Sequence, residues 1–248
     1  MITNQITLIH PSYGRPKLAE ETYYEWMNNA AAPHNIEYIM SVDRSDPEFT
    51  NYYNLRPGQK QGWQFGLRIN DSTTAIKAIN NAAEDASGDL LIVVSDDFSC
   101  PKNWDVDLLR HIGQRKDFCV KTWDGLQPWI MTLPIMDRVY YQRFGYIYYP
   151  GYQHMFCDTE MTHVADLLDK VLLVNMEFQH RHYSQPGGIA KDAVSVKNDI
   201  TWAQGEVLYL HRMGCNFDLP KDEIKGVLRC DNSHLNWLRN KGIKIELV

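Results

Sequence analysis

The sequence predicts an α/β fold with a mostly parallel central sheet flanked by helices. Three observations predict it: short apolar runs alternate with helical faces, each run is cut off by Pro, Gly or acidic residues, and the acids gather where the runs end. At 248 residues the chain can bury a sizeable core, and no repeat or low-complexity linker divides it.

The first apolar run, residues 6–9, is ended by Pro11 and Gly14. Residues 17–29 then place Leu18, Thr22, Tyr23, Trp26 and Met27 near one helical face. Residues 36–42 form a second strand, followed by the polar break Asp43, Arg44, Ser45, Asp46 before Pro47. Residues 48–63 show no clean period and read as an irregular excursion. Asp71 or Ser72 is the expected cap of a helix whose Ala75, Ile76, Ile79, Ala82 and Ala83 share a face, with Gly88 closing it. The run at 90–94 is a buried strand that leads straight into Ser95, Asp96 and Asp97, and Pro101 and Trp104 open a helix running through Arg115.

The second half is less regular. Residues 123–134 read as a loop, 137–144 as a helix, 146–152 as an aromatic stretch, 158–169 as a helix and 171–174 as a short strand. Residues 177–188 form a His- and Gly-containing loop. A long helix near 199–212 is ended by Gly214, and a final one near 234–241 by Gly242. The main domain is expected to span residues 1–212, with 213–248 an elaboration packed upon it.

The formal charge of −6 argues against a surface adapted as a whole to nucleic acid. Five cysteines, an odd number with no CxxC pair, point to reduced thiols and a cytoplasmic protein. No uncharged stretch is long enough to cross a bilayer, so no membrane span is expected, and no protein partner is implied.

In open parallel sheets the carboxyl ends of the strands border the ligand crevice, so Asp96 and Asp97 are the first functional clue. Two adjacent carboxylates there call for a divalent cation, or else one caps a turn and the other is solvated. His180 and His182 flank Arg181 and, in an extended segment, point the same way, either as ligands or as a structural pair. Asp158 and Glu160 open a helix, where the macrodipole stabilises an ionised carboxylate, as a helix cap or as a general base. Asp43 and Asp46 either shape a turn or recognise a ribose or base. Arg15 suits a phosphate or a surface acid.

Taken in order, Pro11-Ser12-Tyr13-Gly14-Arg15, Val42-Asp43, Ala86-Ser87-Gly88-Asp89-Leu90, Ser95-Asp96-Asp97 and Cys157-Asp158-Thr159-Glu160 resemble the motifs of family-2-like GT-A glycosyltransferases, over residues 6–212. The chain's compactness also resembles bacteriophage-encoded members. The resemblance implies a GT-A (Rossmann-like) fold and donor binding by Pro11, Ser12, Arg15, Asp43, Asp96 and Arg181. It further implies Mn2+ or Mg2+ held by Asp97 with His180 or His182, and Asp158 as base, with Glu160 its rival because Cys157 replaces the usual preceding acid. It implies inverting transfer from a nucleoside-diphosphate sugar to an acceptor hydroxyl. The acceptor would be a glycan precursor or hydroxymethylated pyrimidine in phage DNA. The second option draws on the stretch Arg138, Tyr140, Tyr141, Arg143, Phe144, Tyr146, Tyr148, Tyr149 and Tyr152, with Lys121, Arg181, Lys191 and Lys197 as a positive rim. Two alternatives stand beside this reading. A sugar nucleotidyltransferase would carry a Gly-rich loop after the first strand, which Pro11 to Arg15 does not supply, and a non-catalytic nucleotide-sugar-binding module would bind without turnover.

Overall fold

The structure, a computed structural model, describes residues 5–55, 61–71 and 74–243. The three apolar runs of the first half become the parallel strands β1 (Ile6–Ser12), β2 (Ile36–Asp43) and β4 (Leu90–Val93), joined by an unexpected strand β3 (Gln64–Asn70). They alternate with helices α1 (Pro16–Asn29), α2 (Phe49–Asn54) and α3 (Ala75–Asp85). After α4 (Trp104–Ile112) come β5 (Cys119–Trp123), β6 (Ile135–Asp137), α5 (Arg138–Phe144), α6 (Cys157–Leu167) and β7 (Val171–Glu177). Helices α7 (Ala193–Ile200), α8 (Trp202–Gly214) and α9 (Asn232–Asn240) complete the described chain.

The strands form one seven-stranded sheet in the order β3-β2-β1-β4-β6-β5-β7. Only β6 opposes its neighbours; β1, β2, β3 and β4 pair in parallel, as do β5 and β7. The order reverses at β1, so successive connections leave it toward β2 on one side and β4 on the other. That is the switch point at which an open sheet leaves a crevice beyond the strands' carboxyl ends.

Each face of the sheet is covered by its own apolar cluster. Trp26 of α1 stacks on Phe178 at 5.5 Å and meets Trp104 edge-on at 5.1 Å, closing one layer. On the other face, α3, α6 and α8 pack with Phe217, Leu219 and Leu238 from beyond residue 212. Gly88 is required by a close approach, since a Cβ there would lie 2.6 Å from the Thr7 amide nitrogen of β1.

Several boundaries differ from the sequence expectations. Thr74, not Asp71, caps α3 by accepting the Lys77 amide, while Asp71 pairs with Arg44 on the surface; Ser72, the other expected cap, lies outside the described residues. Part of the irregular excursion forms α2, and its residues 56–60 lie outside the described residues, as do 244–248. The long helix expected near 199–212 is α8, which runs to Gly214, and a further helix, α7, precedes it across Thr201 where none was expected. None of the cysteines in the described residues is in a disulfide, and no described helix is long and apolar enough to cross a membrane.

Candidate active site

The acid-bearing loop after β4 is fixed before any ligand arrives. One stripe of α1, spaced at 22, 26 and 29, donates to every second carbonyl of this extended loop. Thr22 Oγ1 reaches Asp96 O (2.9 Å), Trp26 Nε1 reaches Phe98 O (3.0 Å) and Asn29 Nδ2 reaches Cys100 O (2.9 Å). From the opposite side the segment after β7 pairs with it: Ser99 N donates to Gln179 O, Arg181 N donates to Asp97 O, and Phe98 faces His180 in an antiparallel bridge. The Gly188 turn clasps the same segment, since a Cβ there would lie 2.0 Å from His182 O.

The two adjacent acids face different ways. Asp96 is buried and turned back toward the sheet, where His10 Nε2 donates to one oxygen (2.9 Å) and Ser12 Oγ to the other (3.1 Å). Tyr38 Oη completes the chain at His10 Nδ1. Asp97 turns toward the segment after β7, with Oδ2 3.2 Å from His180 Nε2 and Oδ1 accepting from Ser95. Burial alone would raise the Asp97 pKa, but the His180 and Ser95 contacts, with Arg15 nearby, hold it well below the usual carboxylate range, so it is ionised at neutral pH.

His180 stacks on Phe98 at 4.4 Å, and His182 lies 5.2 Å from His180 between ring centroids, its Nδ1 bonded to Ser184 Oγ. The Arg181 side chain points elsewhere, 3.7 Å from Glu25. The structure thus brings Asp97 and His180 together and sets His182 beside them.

Around the β1 end, Ser12 Oγ meets Tyr52 Oη at 2.7 Å, Arg15 N donates to the same phenol, and Gly14 N donates to buried Asp46. Pro11, expected to end the first strand, lies inside β1 opposite Ser41. The Arg15 guanidinium is bidentate to Asp192 at the α7 N-cap and 3.9 Å from Asp96. Asp43, at the end of β2, accepts from Ser45 N and Oγ.

The paired acids of α6 are also divided. Glu160 is buried with both oxygens engaged by Arg212 Nε (2.7 and 2.9 Å) and one by Tyr152 Oη (2.7 Å). Asp158 is half-buried at the first turn of α6, and its carboxylate accepts from the Thr159 amide (2.8 Å) and hydroxyl (3.4 Å). Burial pushes its pKa above the ordinary aspartate value, against the pull of the Thr159 amide and the charge of His180.

Several contributing residues gave weak signals in the sequence. His10 is a polar residue inside an apolar strand, which is the sign that could have found it. His154 lies within the field of Asp97, its pKa lowered mainly by burial. The proposed basic stretch is largely spent on structure: Arg138 donates to the Ala86 and Gly88 carbonyls, and Arg143 pairs with Asp117 and Glu223. Lys191 pairs with Asp199, Lys197 lies over the Tyr13 ring, and Tyr140, Tyr141, Tyr148 and Tyr152 are buried.

No protein-family model matches the sequence, and no curated protein matches it. Solved structures do. A mannosyltransferase from Pyrobaculum calidifontis in complex with GDP-Man and Mn2+ superposes with a TM-score of 0.64 at 13% identity, over 84% of this chain and 64% of that one. S. aureus TarS 1-349 in complex with UDP-GlcNAc gives 0.58 at 13%, over 88% and 74%. GalNAc-T7 with UDP, GalNAc and Mn2+ gives 0.59 at 16%, over 96% and 54%. The chain therefore spans 64% of the first of these and about half of the last. All three are glycosyltransferases whose sheet and helices follow the same course, and the fold of this chain is the GT-A glycosyltransferase fold.

Proposed function

We propose that this chain is an inverting glycosyltransferase that moves a sugar from a nucleoside-diphosphate sugar to an acceptor hydroxyl, with Asp158 as the general base. The observation that carries the reading is a half-buried carboxylate, Asp158, bonded within its own helical turn to Thr159, together with the Asp97–His180 contact, in a GT-A fold. The loop after β5 ties the two together, since its Asp124 carbonyl accepts the His180 amide and its Met131 amide donates to Thr162, whose hydroxyl bonds the Asp158 carbonyl. An acid whose pKa is raised by burial is the stronger base once ionised, which is what proton removal from a hydroxyl requires.

In this reading the acceptor oxygen attacks the anomeric carbon as Asp158 takes its proton, the bond from that carbon to the diphosphate oxygen breaks, and the nucleoside diphosphate leaves. One carboxylate and one imidazole suit Mn2+ or Mg2+, which fill their remaining positions with water and phosphate oxygens; among the described residues no group of three or more His, Cys, Asp and Glu forms a fuller cage. Asp97 and His180 would hold the cation, with His182 beside them. When bound, it supplies charge stabilisation for the departing diphosphate. Pro11, Ser12, Arg15 and Asp43 line or border the donor side, and Asp96 braces it through His10 and Ser12; Arg181, turned toward Glu25, is left out of the donor set in this reading. Glu160, held by Arg212 and Tyr152, is a structural acid in this reading.

Of the two acceptor classes, a glycan hydroxyl fits better than DNA. A duplex needs several cations available to phosphate, whereas Arg15, Arg138, Arg143 and Lys191 are committed to acids or carbonyls.

The test is thermal unfolding with a panel of nucleoside-diphosphate sugars, each with and without Mn2+. The expected result is a cation-dependent rise in Tm with one donor, followed by turnover with a glycan acceptor. Donor binding with no turnover for any acceptor would instead favour a non-catalytic binding module. Release of pyrophosphate from a nucleoside triphosphate and a sugar phosphate would mark a nucleotidyltransferase.

A further inference from the structure

The loop between β5 and β6 is far more tightly built than a connector needs to be. Asp124, 1% exposed, accepts the Leu126 and Gln127 amides on one oxygen (2.8 and 2.6 Å) and the Thr132 hydroxyl on the other. Lys121, buried in β5, sends its ammonium into the loop from below to donate to the Gln127 carbonyl (3.0 Å) and the Ile130 carbonyl. Burying a lysine and an aspartate is costly unless each is satisfied, and here both are spent on one loop.

That loop is tied to both halves of the site. His180 N donates to Asp124 O (2.9 Å), so the loop's first residue sits on the backbone of the imidazole that faces Asp97. At its far end Met131 N donates to Thr162 Oγ1 (2.9 Å), and that hydroxyl donates to the Asp158 carbonyl (2.8 Å). Between these ties Leu126, Gln127 and Trp129 are half-buried and Pro128 is exposed, so the loop bridges the base helix and the histidine segment with a surface still open.

We propose that Lys121 and Asp124 are positioning residues that hold the 124–132 loop as the acceptor-side wall of the cleft, fixing the acceptor hydroxyl against Asp158. The inference rests on the transferase reading above. Neither side chain touches the donor side; Asp124 meets the histidine segment only through its main-chain carbonyl, which Asp124→Asn keeps, so loss of either side chain should misplace the acceptor while leaving the donor bound.

Lys121→Met and Asp124→Asn would be compared with the full-length wild type using UDP-GlcNAc and GDP-mannose with Mn2+, and a panel of methyl glycosides as acceptors. In the variants the donor-dependent rise in Tm and slow transfer of the sugar to water persist. Transfer to the glycoside falls roughly 10- to 100-fold, chiefly through a higher acceptor KM, because a misplacement of about 1 Å costs that order of rate. Hydrogen exchange at the Leu126, Gln127 and Met131 amides speeds up, and Lys121→Arg, which keeps a donor for both carbonyls, restores transfer. Equal loss of hydrolysis and transfer, or faster amide exchange with an unchanged acceptor KM, would overturn the proposal and leave the loop a structural element. A wild-type chain stabilised by no donor would instead overturn the transferase reading itself, and this proposal with it.

Discussion

The end of β4 and the start of α6 each carry two acids close in sequence, and in both regions the pair is divided in the same way. At β4, Asp96 is absorbed by His10 and Ser12 while Asp97 faces the histidine segment. At α6, Glu160 is absorbed by Arg212 and Tyr152 while Asp158 keeps only Thr159 for a partner. The regions differ in what is done to the acid left over. Asp97 is held ionised by its neighbours, as a cation ligand must be, whereas Asp158 is made more basic by burial, as a proton acceptor must be. On the proposed reading the same side-chain chemistry serves two roles, because the environments push the two pKa values apart.

The sharpest way to break this comparison is Asp158→Asn. Transfer should fall by about 10²–10⁴-fold, the range of a general base, while the donor-dependent rise in Tm is kept. Steady-state rates beside thermal shifts check both halves, and retained turnover would move the base elsewhere. The pH profile gives the sign independently. Only the ionised carboxylate accepts a proton and its pKa is raised, so kcat/KM of the wild type should climb with pH through a limb lying above the ordinary aspartate value.

Glu160→Gln probes the other member of the α6 pair and should act on stability rather than chemistry. The substitution neutralises the buried partner of Arg212 Nε while the pairing of its other arm with Asp218 remains, at a cost of about 3 kcal/mol, the lower end of the range for breaking a buried pair. Chemical denaturation would show the loss in the midpoint. A variant of full stability with no turnover would reverse the assignments of Asp158 and Glu160.

The acids themselves were legible in the sequence; their division was not. Strands β1, β2 and β4 are apolar runs with abrupt polar ends, and α1 and α3 show clear helical stripes, so the carboxyl edge of the sheet and the acids on it could be read directly. Which acid is consumed depends on partners far along the chain: His10 is 86 residues from Asp96, and Arg212 is 52 from Glu160. The missed strands have a similar cause. β3 is an edge strand of half-exposed residues around Gly66, β5 is a five-residue strand interrupted by Lys121, and β6 is three residues long behind Pro134; all three owe their form to neighbours in the sheet rather than to local pattern. The α7 cap is equally hidden, since Asp192 is also held by Arg15, 177 residues away.

The smallest effects should come from separating Asp96 and Asp97. Asp97→Asn removes the charge facing His180 and should abolish the part of the donor-dependent Tm rise that requires Mn2+; because the mostly buried carboxylate is favoured by His180 and Ser95, the free protein should also lose about 1–3 kcal/mol. Asp96→Asn should act on stability alone. An asparagine keeps one acceptor for His10 and presents an amide that Ser12 can accept, so the buried network loses charge but not all its bonds; the cost is about 1–3 kcal/mol, the range for a weakened bond to a buried charged group. The Mn2+-dependent rise should survive, because the residue facing the histidine segment is untouched. If instead Asp96→Asn removed the cation dependence and Asp97→Asn left it intact, the two roles would have to be exchanged, and the parallel between β4 and α6 would no longer hold, since the more deeply buried acid of the first pair would then be the working one.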